Sequence, residues 1–520
     1  CTDCHVSKAN DNNAWVGSVL MQGSNQVNFM GRYVYVAEGG DGLSATEVAE
    51  LTEPQAVFGG HLHQIAYPDW YAKHQARGSK LRDNFAHRGA DVAQVQMYGE
   101  FLLAAAGGDG FVVYDIANVA DKDFSQRIVD SPFSKVGQRL YVRTKAATGV
   151  AVGSPAPLDP RRNPGQTADQ RRWLELNEEQ PLAPLFGYAF VSDRQEGLVT
   201  VDITTLTDGV NTNNHLKRGA TFNPEGRLSN ARGVWVVGNY AYLLTDRALQ
   251  IVNISDPLRP RWVSEVTGPL RDPRSLSVQF RYCFVTDAEG LKVFDVTDLE
   301  RPRAVAGATV PLRDAHGVYV AREYAYVGAG ADGLAVVDIQ KPEQPRLDQL
   351  FNDGGKLSDA RDVKVGMVYA SLFAFVADGR NGMKVVELTN PNSVPGNMGY
   401  SPRPAPRVVA YYPTKGAALQ VSEGYRRDRA VDESGNQIAV FGRRGARPFN
   451  LEEQRRMYLR NGKLYTVTDE PGQPTADKAA QAGSWLRSLS RLFGAGFGWL
   501  GVAFAIPAAF VWQRRRLKKG

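Results

Sequence analysis

At 520 residues, 43% of them hydrophobic, the chain can bury one large core or about two to three ordinary domains. Its net charge of +6 sits at one end: Arg487, Arg491, Arg514, Arg515, Arg516, Lys518 and Lys519 carry +7, leaving the preceding 484 residues at −1. That near-neutral body excludes a general nucleic-acid footprint, and three cysteines (Cys1, Cys4 and Cys283) exclude a disulfide framework.

The chain opens on Cys1-Thr2-Asp3-Cys4-His5. Two thiols separated by two residues, with an imidazole directly after, match the attachment signature of haem c. The segment resembles the c-type cytochromes. The resemblance implies thioether bonds from Cys1 and Cys4 to the haem vinyl groups and His5 as the proximal ligand of the haem iron. Two other readings compete. A lipidated N-terminus explains Cys1 but neither Cys4 nor His5, and an isolated CxxC lacks the second pair that a zinc site needs. Residues 1–23 therefore read as a haem c attachment segment and the end of a cytochrome domain, with further haems expected upstream. Met21 and Met30 follow closely, although Met30 falls in the first strand region.

From residue 24 to residue 394 one pattern recurs seven times. Each copy has a strand of alternating aromatics, a turn rich in Asp and Gly, and a strand ending in an acid or Asn. The copies start at Gly31, Gly99, Gly187, Gly238, Arg281, Glu323 and Leu372. Equivalent residues Leu249, Leu291 and Leu334 are 42 and 43 apart, within the ~40–45 residues of a four-stranded blade. The period-two alternation predicts hairpins with one buried face. A third strand precedes the hairpin, as in ATGVAV from Ala147 and AHGVYV from Ala315, and a Pro-anchored strand follows it. Seven such units predict an all-β protein, a seven-bladed β-propeller. The motif Leu334-Ala335-Val336-Val337-Asp338-Ile339 and its relatives LKVFDV, LQIVNI and FVVYDI resemble the LVIVD repeat family. The resemblance implies a propeller-like fold, in a family of mostly surface or envelope proteins without an agreed activity, and says little about function.

Two insertions interrupt the repeats, near 51–89 and 153–186. The first holds His61, His63, His74 and His87, four of the seven histidines. It reads either as a surface loop or as the source of a distal haem ligand, in which case His61 or His63 is the candidate. Alternate residues of an extended segment point opposite ways, so only one need reach iron. Inner-strand positions Asn25, Arg232, Arg274, His316 and Arg361 are expected on the propeller axis, with Asp272, Asp314 and Asp359 close by in sequence. They read as blade-to-blade ion pairs, or alternatively as an anion site or an acidic partner's docking face.

Residues 395–470 form an extension expected to pack on the propeller, and 471–484, PGQPTADKAAQAGS, read as a linker. Within 485–520, the 21 uncharged residues Leu492 to Trp512 suffice for a transmembrane helix, which needs ~20. Arg514 to Lys519 would face the cytoplasm by the positive-inside rule. An apolar stretch before an Arg cluster also resembles bacterial sorting signals. Together these features predict a haem protein of the bacterial cell envelope, its bulk periplasmic or extracellular, anchored in the inner membrane by 492–512. It would pass electrons to other cytochromes or envelope redox proteins. The alternatives are an adhesion or assembly propeller without a redox role, or a haem-dependent propeller reductase, which would need more axial His or carboxylates than His316 alone provides.

Overall fold

The computed structural model describes residues 28–29, 33–50, 53–56, 59–82, 85–98, 101–116, 140–153, 187–206, 214–237, 239–279, 281–321, 323–368, 371–388, 403–422, 429–431, 437–440, 459–460 and 463–464. Two compact units divide the chain, Cys1–Tyr458 and Leu459–Gly520. In the second, the described residues form one short hairpin, Leu459–Arg460 with Lys463–Leu464. The candidate span 492–512 lies outside the described residues. Among those described, no helix is long and apolar enough to cross a membrane.

The first unit holds a seven-bladed propeller. Each repeat builds one antiparallel sheet of four strands, and in the seventh a two-residue strand, Asn28–Phe29, adds in parallel beside Gly366 and Met367. Blade 6 shows the common order: Val318–Ala321 inside, then Tyr324–Gly328, Leu334–Asp338 and Arg346–Phe351 at the outer edge. Seven hydrophobic clusters lie between consecutive blades, and one of them joins blade 7 to blade 1 through Val34, Val36, Phe373, Phe375 and Val421.

The alternation predicted one buried face per hairpin, but both faces are buried. All six residues of Tyr188–Asp193 are buried, as are all six of Tyr282–Asp287. Each blade is sandwiched between two neighbours, so alternate residues feed two different clusters. Tyr33, Tyr35 and Ala37 pack towards blade 2, while Val34 and Val36 pack towards blade 7. Polar alternation is seen at the rim, where Lys217–Phe222 alternates exposed and half-buried residues.

The propeller does not stop at residue 394. Arg407–Tyr412 is the outer strand of blade 7, pairing with Met383–Glu387. Gln420–Val421 is the inner strand of blade 1, pairing with Val36 and Ala37. The part of the extension from 403 to 422 therefore closes the ring. The insertion near 51–89 likewise contributes Phe85–His87, the outer strand of blade 1. The insertion near 153–186 falls almost wholly outside the described residues.

Candidate functional site

On the axis the inner strands enclose a cavity of about 250 Å³, lined by Gln94, Gln96, Arg232, Arg274, His316 and Arg361 among others. Asn25, placed there by the repeat pattern, lies outside the described residues. Blade 1 instead contributes Leu419 and Gln420. The basic residues are arranged with the acids in one alternating chain across blades 4 to 7. Arg232 bonds Asp272, and Arg274 Nε reaches Asp272 Oδ2 at 3.4 Å. Arg274 Nη1 donates to Asp314 Oδ1 at 2.8 Å, and His316 Nε2 lies 3.0 Å from the same oxygen. Arg361 Nη1 approaches His316 Nε2 at 3.1 Å, and its Nε meets Asp359 Oδ1 at 2.6 Å.

The Arg232 hydrogen bond is the main reason that Asp272 sits below the ordinary carboxylate range. Burial alone would raise Asp314, but hydrogen bonds from His316 and Arg274 outweigh it and bring the group down. Burial lowers His316 despite the opposing pull of Asp314. Its Nε2 can donate to Asp314 or accept from Arg361, and cannot do both at once.

These side chains also stitch one blade to the next. Thr148, Arg232 and Arg274 donate to the backbone carbonyls of Ala231, Pro273 and Ala315 in the following blades, at 2.9, 3.1 and 2.9 Å. Deeper in, the free edges of the inner strands are satisfied the same way. Val95 N–H donates to Gln420 Oε1 at 2.9 Å, Val150 N–H to Gln94 Oε1 at 2.8 Å, and Val421 N–H to Asp362 Oδ2 at 3.2 Å. Lys364 Nζ binds both Asp362 oxygens at 2.8 Å. Arg232, Arg274, Arg361 and Lys364 thus each have a carboxylate partner, so among the described residues the axis carries no uncompensated cation cluster.

The histidine-bearing insertion near 51–89 differs most from expectation. Around His61, His63 and His74 it is helical rather than extended: His61–Ala66 and Pro68–Ala76 are helices packed on blade 7. At ~100° per residue, His61 and His63 point roughly 200° apart. His63 Nδ1 accepts the Gly59 N–H at 3.0 Å, which leaves the proton on Nε2, a buried atom without a hydrogen-bond partner among the described residues. His74 Nε2 lies 3.1 Å from the Val409 carbonyl and can only donate to it. Both side chains are 1% exposed.

His61 lies in a different setting. Its backbone N–H and its Nδ1 reach the two oxygens of Glu387 at 2.8 and 2.7 Å. Glu387 is 2% exposed and is also held by Arg407 at 2.9 Å. The insertion can approach this closely because of Gly59 and Gly60. A Cβ at Gly60 would lie 2.9 Å from Glu387 Oε1, and one at Gly59, where φ is +96°, 2.7 Å from the Val409 oxygen.

His63 makes this insertion sensitive to acid. Burial chiefly, with help from His74 and Arg77, lowers its pKa to about 4. The unfolded chain, with its imidazole near ~6.5, therefore takes up the proton first as pH falls. Stability present above pH ~6.5 is lost as the pH drops towards about 4, by roughly 3 kcal/mol. His63→Asn keeps an acceptor for Gly59 N–H and cannot titrate. Urea melts at pH 7 and pH 4 should show the wild type losing roughly 3 kcal/mol more than His63→Asn. Equal losses would rule His63 out as the titrating group.

Cys1, Cys4 and His5 lie outside the described residues, as do Met21 and Met30. Cys283 is fully buried between blades 4 and 5, and burial pushes its thiol up. Sequence reasoning missed Glu387 and Arg407, because nothing local marks residues whose role depends on a segment more than 300 positions away.

The LVIVD repeat family matches residues 187–208, 229–267, 312–353 and 359–399. No curated protein matches the chain. Among solved structures, a Lactobacillus plantarum protein is 11% identical with a TM-score of 0.46, over 75% of this chain and 99% of that one. A β-propeller domain from Myceliophteria thermophila is 12% identical with a TM-score of 0.38, over 66% and 93%. A computationally designed protein is 11% identical with a TM-score of 0.37, over 70% and 84%. The chain carries LVIVD repeats, folded into a seven-bladed β-propeller.

Proposed function

We propose that the chain is a membrane-anchored haem c protein of the bacterial cell envelope that takes part in electron transfer, with the propeller as its docking and assembly scaffold. The observation that carries this reading is Cys1-Thr2-Asp3-Cys4-His5. Its donor set fits the group, with two thiols for thioether bonds and an imidazole for iron. Bound haem supplies one-electron chemistry, and the protein supplies attachment, ligation and a rigid surface. The propeller suits the scaffold role because its axial charges are spent on joining blades, as in the Arg274–Asp314 pair at 2.8 Å. The partners are other cytochromes or envelope redox proteins, and residues 492–512 are the anchor, with the bulk of the chain periplasmic or extracellular.

A second reading, an adhesion or assembly propeller without a redox role, is favoured by the same axial pairing, since a stitched axis serves a purely structural module equally well. A haem-stained denaturing gel and a pyridine haemochrome spectrum separate the two, using full-length protein made with c-type maturation machinery. Covalent haem is expected, with Cys4→Ala reducing it at least about tenfold. A folded, matured sample free of covalent haem would establish the scaffold-only reading.

A further inference from the structure

We infer that the axial cavity binds a small amphiphilic organic acid, its carboxylate on the basic arc of blades 4 to 7 and its apolar body against Leu419 and Ala93. The inference goes beyond the haem reading above and does not rest on it. One level of the axis can be compared blade by blade. Ala93, Arg232, Arg274, His316, Arg361 and Leu419 each donate their backbone N–H to the second strand of their own blade, at 2.7 to 2.9 Å. They are therefore equivalent positions, and all of them line the cavity. In blade 3 the level is filled by Thr148, where the register shifts between Ala147 and Gly149.

The ring is two-sided. Blades 4 to 7 present Arg232, Arg274, His316 and Arg361 in succession, whereas blades 1 and 2 present Leu419 and Ala93. The ion pairs balance the charge of the arc but leave hydrogen-bond donors over. Arg232 reaches Asp272 and the Pro273 carbonyl through Nη1 alone. Its Nε and Nη2 have no acceptor among the described residues, and that edge of a guanidinium is the planar fork that grips a carboxylate through two parallel bonds. Arg274 and Arg361 use Nε and Nη1, which leaves Nη2 on each. Asp272, Asp314 and Asp359 do not line the cavity, and Asp362, which does, has both oxygens on Lys364 Nζ at 2.8 Å. The aspartates thus hold the guanidiniums in place before a ligand arrives, which lowers the ordering cost of binding.

The opposite side suits carbon. Leu419 lines the cavity and is 40% exposed, so a ligand's apolar body would take it out of water. Blade joining does not call for charge on this side, because Val95 N–H to Gln420 Oε1 joins blades 1 and 2 with an uncharged bond. A water takes up ~30 Å³ in the liquid, so the cavity of about 250 Å³ has room for about eight waters or a ligand of similar atom count. A six-carbon monocarboxylate is of that size.

The test is isothermal titration calorimetry on the full-length chain, with hexanoate as the probe and acetate, 1-hexanol and sulfate for comparison. Hexanoate should bind with a Kd of about 1 mM or tighter, and at least about tenfold more tightly than each of the other three. Arg232→Gln removes the fork and should weaken hexanoate at least about tenfold. Arg232→Lys keeps the charge without the fork and should weaken it as well. Leu419→Asp changes an exposed side chain, so it should melt as the wild type does and still bind hexanoate at least about tenfold more weakly. Acetate or sulfate binding as tightly as hexanoate would overturn the amphiphilic ligand. Wild-type affinity for hexanoate in a folded Leu419→Asp chain would overturn its placement, and a wild type that binds no hexanoate would overturn the site.

Discussion

A chain ending at Tyr412 is expected to lose the cooperative fold of the propeller, whereas one ending at Ser422 should keep it. The ten residues between close the ring. Val421 and Gln420 pair with Val36 and Ala37, Leu419 N–H donates to the Ala37 carbonyl at 2.9 Å, and Ser422 N–H to Tyr35 O at 2.8 Å. Gly416 N–H and Lys415 N–H donate to the buried Glu38 carboxylate at 2.8 and 3.1 Å. Ala418 and Val421 are fully buried in the cluster between blades 7 and 1. Without these residues Val95 N–H loses Gln420 Oε1, and Glu38 loses both backbone donors, leaving Arg88 as a cationic partner at 2.8 Å. Each buried group left unpaired costs ~1–3 kcal/mol. Several together rival the ~5–15 kcal/mol that holds a domain folded. Thermal melts by circular dichroism and size-exclusion chromatography distinguish the two chains. If the chain ending at Tyr412 melted within a few degrees of the one ending at Ser422, the closure argument would fail.

Those ten residues also mark where the sequence stops being legible. The seven hairpins could be read directly, because each is a local pairing across a Gly-rich turn. Blade 1 borrows its inner strand from far along the chain, and that strand is two residues long, too short for periodicity to register. One signal was present: Ala418-Leu419-Gln420-Val421 follows the frame of Ala315-His316-Gly317-Val318, the inner edge of blade 6.

The axial ion pairs were visible for a similar reason. Asp272, Asp314 and Asp359 each stand two residues before a basic axial residue, and the structure couples both along and across blades. The helices of the insertion were not visible. His61–Ala66 has no side-chain cap of its own, and its first N–H is satisfied by Glu387, 326 positions away. A helix capped by tertiary contact leaves no capping residue in its own sequence.

Gly333→Ala should cost about 2–5 kcal/mol, while Gly354→Ala should cost only about 1. Both glycines have positive φ, +80° and +65°, so both substitutions meet the left-handed penalty of ~1–2 kcal/mol. They differ in what a Cβ would strike. At Gly333 it would lie 2.3 Å from the Phe351 carbonyl oxygen and 2.9 Å from Asn352 Cα, backbone atoms at the outer edge of the same blade. At Gly354 nothing lies within 4 Å. The turn before Leu334 therefore needs glycine twice over, for its dihedral and for the close approach of the outer strand.

Blade 4 shows how that need can be avoided. There Thr245 N–H bonds the Ala248 carbonyl at 2.9 Å, where blade 6 has Ala329 N–H to Gly333 at 2.8 Å, a turn one residue longer. The shorter turn ends on Ala248, whose φ is not positive. The glycine before Leu334 is thus a steric requirement of this turn, and blade 5, whose turn is as short as that of blade 4, still needs one: a Cβ at Gly290 would lie 2.1 Å from the Val310 carbonyl oxygen. Urea melts of the two variants measure the difference. Equal destabilisation within about 0.5 kcal/mol would show that the dihedral alone selects glycine, and that the outer strand yields to a Cβ at no cost.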